Sequence, residues 1–326
     1  MKRAVVWTAA VLAAVFLPLR AAAADETASA VQTRTGEWTD ARSSMPGEEL
    51  RCRAELTVCP AESWTVRGML GAGLEFCSLT AVLADGESVN ASFYTLLSGA
   101  QCPESAFEIH LAAHFSPQEA VRLTVEWTAR LSGGCTAGTD GNQFSLLAES
   151  AGGGISESGP AAVYTYGFTV FRGVRFADAG VPDHPLPSAC FRLYYDAALT
   201  EPVMFRERGG AFLACTARNC AHTRHGCLLR GGESGAVRIE GLAAGTYYLC
   251  ETRPPAGYGC AAEALRVTVS ETGAVEAEGK PMSGDTILLL EKGTQTPGGG
   301  DDPLAFYRRG CGVMAALFAA VFLRKR

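Results

Sequence analysis

The sequence predicts an all-β chain of two tandem β-sandwiches, with an apolar helix at each end. Three observations carry this. Residues Val121 to Leu131 alternate, with Val121, Leu123, Val125, Trp127 and Ala129 on one face and Arg122, Thr124, Glu126, Thr128 and Arg130 on the other. That is the signature of a half-buried strand. Similar short runs recur between turns in a chain with 37 glycines, the pattern of sandwiches rather than of helical or α/β folds. Between the two apolar ends lie roughly 270 residues, enough for about two ordinary domains.

The elements follow in order. Lys2 and Arg3 precede the apolar run Ala4 to Leu19, and Ala21 to Ala24 offer small residues before Asp25. Charge, apolar core and small residues in that order make residues 1–24 a secretory signal peptide. Residues 25–47 form a lead-in with one short strand. Leu50 to Val58 alternates until Cys59-Pro60 breaks it, and Phe144 to Ala148 reads as a further strand. The Gly/Ser-rich stretch Ala151 to Pro160 separates a first domain, 25–160, from a second, 161–292. There strands are expected at Ala162–Val170, Ala189–Tyr195, Pro202–Arg206, Val237–Ile239, Tyr247–Thr252, Leu265–Val269, Ala274–Ala277 and Thr286–Leu290, with a hairpin turn at Glu271-Thr272-Gly273. Residues 293–309 read as a linker. Gly310 to Leu323 is apolar and Arg324-Lys325-Arg326 is basic, so 310–326 is expected to hold the chain in a membrane with its tail on the cytoplasmic side.

A net charge of −6 gives no footprint for nucleic acid. No Gly-x-Ser-x-Gly elbow, Walker loop, dinucleotide fingerprint or His-Glu-x-x-His motif occurs, so a non-enzymatic chain without a cofactor is expected. Of 28 basic residues only Lys2, Lys280, Lys292 and Lys325 are lysines. The twelve cysteines of an exported chain suggest disulfides. In the second half these are Cys190, Cys215, Cys220, Cys227, Cys250 and Cys260, for which sequence cannot choose the pairing. Cys215, Cys220, His222, His225 and Cys227 crowd into one segment. Zinc accepts such ligands, but the spacing fits no standard finger, and a disulfide closing the loop is the competing reading.

The run Gly241-Leu-Ala-Ala-Gly-Thr-Tyr-Tyr-Leu-Cys-Glu-Thr-Arg-Pro-Pro-Ala-Gly-Tyr258 closely resembles the Glu-containing box of Spa-type pilin domains. These are the collagen-adhesin B-type domains of sortase-assembled Gram-positive pilins. Tyr164-Thr-Tyr-Gly-Phe168 resembles their opening strand, and Pro185-Leu-Pro-Ser-Ala-Cys-Phe-Arg-Leu-Tyr194 their "PLxGAxFxLY" segment. Val203 to Phe205 and Ala211 to Leu213 resemble the next strand pair. In the first half, Leu70-Gly-Ala-Gly-Leu74 and Asn142-Gln-Phe-Ser-Leu146 are similar to segments of the middle domain of the same pilins. The resemblance implies Ig-like or prealbumin-like sandwiches and a cell-surface structural or adhesive role.

It also implies where an intramolecular Lys–Asn isopeptide bond would lie. In that family a buried Lys loses its charge by desolvation and attacks a carboxamide held beside it, with a buried acid relaying protons. Here the second-domain Lys position falls on Arg172, the acid on Glu251, and the Asn position near Leu290 or Glu291. In the first domain the Lys position falls on Thr33 or Arg34 and the acid on Gly68; only Asn142 remains. A guanidinium stays protonated and is no nucleophile, so neither bond is expected. Glu251 either pairs with Arg172 or satisfies backbone groups at the strand end. Disulfides are the expected substitute staples, since Cys190 and Cys250 sit on strands that are neighbours in this fold family.

The resemblance places a sorting motif on Gln295-Thr296-Pro297-Gly298-Gly299. The motif is degenerate: Gly298 stands where the acylated Thr belongs. Implied partners are sortase, other pilin subunits or the cell wall, and an unidentified surface ligand. The family's polymerising "YPK" lysine motif does not occur, and Lys280 and Lys292 read as solvated surface charges. The alternative is a ligand-binding surface module held by its C-terminal helix and not polymerised.

Overall fold

The computed structural model describes residues 29–32, 36–112, 115, 119–135, 137–138, 141–176, 182–216, 226–260, 263–282 and 284–292. Among them are 24 strands and two short 3-10 turns. The expected signal helix, linker and membrane helix lie outside the described residues, among which no helix is long and apolar enough to cross a membrane.

The first sandwich contains β1 (Ser29–Gln32), β2 (Ala41–Ser43), β3 (Glu49–Val58), β4 (Trp64–Leu70), β5 (Leu74–Ala84), β6 (Glu87–Ser88), β7 (Tyr94–Ser98), β8 (Phe107–Leu111), β9 (Val121–Leu131), β10 (Asn142–Ser150), β11 (Ile155–Glu157) and β12 (Ala161–Tyr164). One sheet runs β1-β3-β9-β5-β6, the other β2-β12-β10-β4-β8-β7, with β11 on β10. Alternation fills the space between them. Leu50, Cys52, Ala54 and Leu56 of β3 stand beside Ala129, Trp127, Val125 and Leu123 of β9 in the same sheet, all buried, with Val58 and Leu131 buried on the same two strands. Phe76, Phe107, Trp127 and Phe144 form a continuous aromatic column, with ring centroids 4.6, 5.4 and 5.3 Å apart.

The second sandwich contains β13 (Tyr166–Arg175), β14 (His184–Pro185), β15 (Cys190–Tyr194), β16 (Met204–Arg208), β17 (Ala211–Cys215), β18 (Leu229–Arg230), β19 (Ala236–Leu242), β20 (Gly245–Arg253), β21 (Leu265–Val269), β22 (Val275–Ala277), β23 (Lys280–Pro281) and β24 (Thr286–Lys292). One sheet is ordered β14-β13-β19-β17-β16 with β24 also on β13; the other runs β18-β15-β20-β21-β22-β23. β24 lies parallel to β13, and Arg172 pairs with Leu289. The single strand expected over Ala162–Val170 is two strands. Ala161–Tyr164 completes the first sandwich against β10 and β2, the chain crosses at the buried Thr165, and β13 opens the second.

The two sandwiches share packing at this crossing. Met45 is buried in the second core and Leu213 in the first. Tyr195 donates its hydroxyl to Met45 Sδ at 3.2 Å, and Ala244 N donates to Ser43 Oγ at 3.0 Å. Arg208 donates to the Gly133 carbonyl and to Glu240 Oε2, the latter at 3.1 Å. Burial alone would raise the Glu240 carboxyl; the Arg238 and Arg208 hydrogen bonds outweigh it and hold it below its ordinary value of 4.5. A carboxyl lowered on folding stabilises above its unfolded value, and that contribution is lost as pH falls through the folded one. Thermal unfolding followed against pH is therefore expected to weaken below about pH 4.5, and Glu240→Gln is expected to remove part of that slope.

Candidate functional site

Three strands each place a charged residue on a register that is otherwise apolar and inward. On β13 the inward series is Tyr166, Phe168, Val170, Arg172 and Val174. On β20 it is Tyr247, Leu249 and Glu251, and on β24 Ile287, Leu289 and Glu291. β13 and β24 are neighbours in one sheet, whereas β20 belongs to the facing sheet. The two acids therefore approach one guanidinium, one from across the sandwich and one from the adjacent strand.

Arg172 Nε donates to Glu251 Oε1 at 2.9 Å. Nη2 donates to Glu291 Oε1 at 2.8 Å and to the Gly259 carbonyl at 3.1 Å, and Nη1 donates to the Leu289 carbonyl at 3.3 Å. The Arg172 and Glu251 side chains are 2% and 0% exposed, whereas Glu291 is 41% exposed. Burial opposes the charge on Arg172, but the hydrogen bonds to Glu291 and Glu251 outweigh it, and the guanidinium is held above its ordinary range. Such a group neither loses a proton nor attacks a carbonyl. The cluster can only bind, and it binds the first and last strands of the domain to the facing sheet. Of the two readings of Glu251, the structure gives the pair with Arg172. Sequence reasoning did not assign Glu291 and Gly259 to the cluster. Glu291 was detectable, because it continues the inward series after Ile287 and Leu289; the Gly259 carbonyl has no side-chain signal.

Among the described residues the first sandwich has no such cluster at the matching positions. Gly68 lies on β4 beneath the aromatic column, and a Cβ there would meet Phe107 Cε1 at 2.1 Å. An aromatic ring thus fills the space an acid would need. Asn142 is buried at the start of β10, its Nδ2 donating to the Val163 carbonyl at 2.9 Å. Its Oδ1 lies so close to Gly73 that a Cβ there would come within 1.9 Å. Thr33 and Arg34 lie outside the described residues.

The disulfide expectation holds at Cys215 and needs correction at the Cys190–Cys250 pair. Cys190, Cys227, Cys250 and Cys260 are free thiols; Cys215 is disulfide-bonded, and Cys220 lies outside the described residues. The expected Cys190–Cys250 staple is not formed because the register keeps them apart. Cys190 stands opposite Arg253 and Arg230, and Cys250 opposite Arg192, with an irregularity between Cys190 and Phe191. Arg253 Nη2 donates to Cys190 Sγ at 3.0 Å. Among the described residues no group of three or more His, Cys, Asp or Glu is arranged to hold a metal ion; His222 and His225 lie outside them. So do Gln295, Thr296, Pro297, Gly298 and Gly299. Lys280 sits exposed in the β22–β23 hairpin and Lys292 exposed at the end of β24.

The fold and this cluster define an all-β chain of two tandem sandwiches, the second clamped by a buried ion pair. Residues 182–281 match the family model of the SpaA prealbumin-like fold domain. Over about four fifths of its length the chain shares the fold of Gram-positive pilin backbones. It superposes on a 35 kDa C-terminal fragment of the major pilin GBS80 of Streptococcus agalactiae with a TM-score of 0.53 at 18% identity, covering 82% of this chain and 98% of that one. The pilus backbone RrgB of Streptococcus pneumoniae gives 0.53 at 12%, covering 82% and 100%. The pilus 2b backbone protein of group B streptococcus gives 0.51 at 17%, covering 81% and 96%. At these identities the likeness is one of fold. No curated protein sequence matches this chain.

Proposed function

We propose that this chain is an exported, non-enzymatic structural protein of the cell surface, pilin-like in build, in which an ion-pair cluster replaces the covalent cross-link of the second domain. The observation that carries this reading is the Arg172–Glu251–Glu291 cluster. Where the resemblance calls for Lys, acid and carboxamide, the chain has a guanidinium and two carboxylates that join the same three strands. The shared packing of the two sandwiches at Met45, Leu213 and Arg208 suits a stiff structural unit. In this reading residues 1–24 direct export, and the tail from 310 retains the chain at the surface, either alone or after processing at Gln295–Gly299 by a sortase. Intact mass tests it: the purified ectodomain is expected at its unmodified mass, with no ammonia or water lost to an isopeptide bond. Such a loss, mapped to a cross-linked peptide, would reject the reading of the cluster.

The lysine content favours a second reading, in which the chain stands singly on the surface and binds a ligand. Between the leader and the tail only Lys280 and Lys292 are available as amine acceptors. Cell-wall extracts run on a denaturing gel separate the two. A ladder reactive to antibody against this chain indicates polymerisation; a single band indicates a monomeric surface protein.

A further inference from the structure

We propose that Cys250 and Cys260 form a redox pair whose disulfide locks the segment between them over the Arg172 cluster. The geometry brings the two thiols together. Glu251 and Gly259, which flank the segment from within, are both hydrogen-bonded to one guanidinium, at 2.9 and 3.1 Å. The intervening chain reverses at a turn in which Tyr258 N donates to the Pro255 carbonyl at 3.1 Å, with Gly257 at φ +86°. Only glycine adopts that angle without strain. Cys260 follows that turn directly after Gly259, and Cys250 stands half-buried on the outward register of β20, directly before Glu251. Cys260 also acts on Cys250: burial pushes the Cys250 thiol up, and neighbouring Cys260 adds to it. Other thiols on this face are less suitably placed. Cys190 is buried against Arg253, and Arg192, opposite Cys250 in the ladder, acts electrostatically on both Cys227 and Cys250.

The step needs an oxidant, and a low-molecular-weight disulfide, RSSR, supplies it. The exposed Cys260, as its thiolate, attacks one sulfur of RSSR, forms a mixed disulfide and expels RS⁻. Cys250, after losing its proton, attacks the Cys260 sulfur and expels the second RS⁻. Two protein thiols are oxidised, RSSR is reduced to two RSH, and one intramolecular disulfide forms. The closed loop holds the Gly259 carbonyl on Arg172 Nη2. The charged cluster then gains a covalent clamp in an oxidising medium and loses it in a reducing one.

The test uses the purified ectodomain, equilibrated with mixtures of oxidised and reduced glutathione, quenched by alkylation and mapped by mass spectrometry. The expected product is a Cys250–Cys260 linked peptide, accompanied by a rise of several degrees in the second-domain unfolding transition. The double variant C250S/C260S keeps the Cys215 disulfide and is expected to show a smaller dependence of unfolding temperature on the glutathione ratio than the unaltered chain. In C260S, Cys250 should stay alkylatable at every ratio. Linkage of Cys250 to Cys190 or Cys227 overturns the pairing. Full alkylation of both thiols under the most oxidising mixture overturns the proposal, and so does an unfolding temperature that follows the glutathione ratio as steeply in C250S/C260S as in the unaltered chain.

Discussion

Replacing Arg172 with alanine is expected to destabilise the second sandwich by about 3–5 kcal/mol, because it leaves the fully buried Glu251 carboxylate without its cation. The loss is larger than the four hydrogen bonds suggest. Exposed ion pairs contribute about 0–1 kcal/mol, and the Glu291 arm, 41% exposed, belongs to that class. The cost comes from Glu251, which must either stay charged in an apolar surround or take up a proton. In a domain of this size each kcal/mol lowers the melting temperature by about 3–4 °C. Calorimetry should therefore show the second-domain transition falling by about 10–20 °C. A loss under about 1 kcal/mol would mean that water already solvates the cluster.

A double-mutant cycle separates the pair from its penalty. Arg172→Met with Glu251→Leu removes both charges and keeps apolar volume, and buried pairs so replaced are often neutral or stabilised. The Leu289 and Gly259 carbonyls lose a donor in this variant, so some cost remains. The double variant is nevertheless expected to be more stable than Arg172→Ala, with a coupling of about 0.5–3 kcal/mol between the two positions. Such a result would assign the cluster to fixing which strands meet, and not to raising stability over an apolar core.

What sequence could reveal follows from what periodicity encodes. β9 was legible because Leu123, Val125, Trp127 and Ala129 alternate without interruption. β5 was not, because irregularities between Phe76 and Ser78 and between Leu79 and Ala81 shift the inward register within the strand and break the period of two. Ala162–Val170 looked like one strand because alternation reports a face and not a partner. Nothing in the pattern marks Thr165 as the point where the chain leaves β10 for β19. The candidate site was half legible. Arg172 and Glu251 came from the resemblance. Alternation with Ile287 and Leu289 marks Glu291 as inward, but that it meets Arg172 follows only from β24 lying parallel beside β13 with Leu289 opposite Arg172. The cysteines were the least legible. A disulfide requires Cα atoms within about 7 Å, and the offset that places Cys190 opposite Arg253 has no sequence signature.

Gly68→Ala is expected to destabilise the first sandwich by about 1–3 kcal/mol, the usual cost of forcing extra volume into a packed core. A Cβ at this site would lie 2.1 Å from Phe107 Cε1 and 2.4 Å from Cζ, well inside van der Waals contact. The ring cannot retreat: Phe107 is fully buried, with Phe76 at 4.6 Å on one side and Trp127 at 5.4 Å on the other. Relief must come from sliding β4 against β10 and β8, whose registers fix Leu146 and Phe107 opposite Gly68. Gly68→Asp is expected to cost more, since it adds a carboxylate to the same apolar site. An acid therefore cannot be restored here without first removing Phe107. The double variant Gly68→Ala with Phe107→Leu tests this directly: it should recover part of the loss seen in Gly68→Ala when compared with Phe107→Leu alone. If Gly68→Ala leaves unfolding unchanged, the aromatic column is looser than its ring distances imply, and the first domain's want of an acid needs another cause.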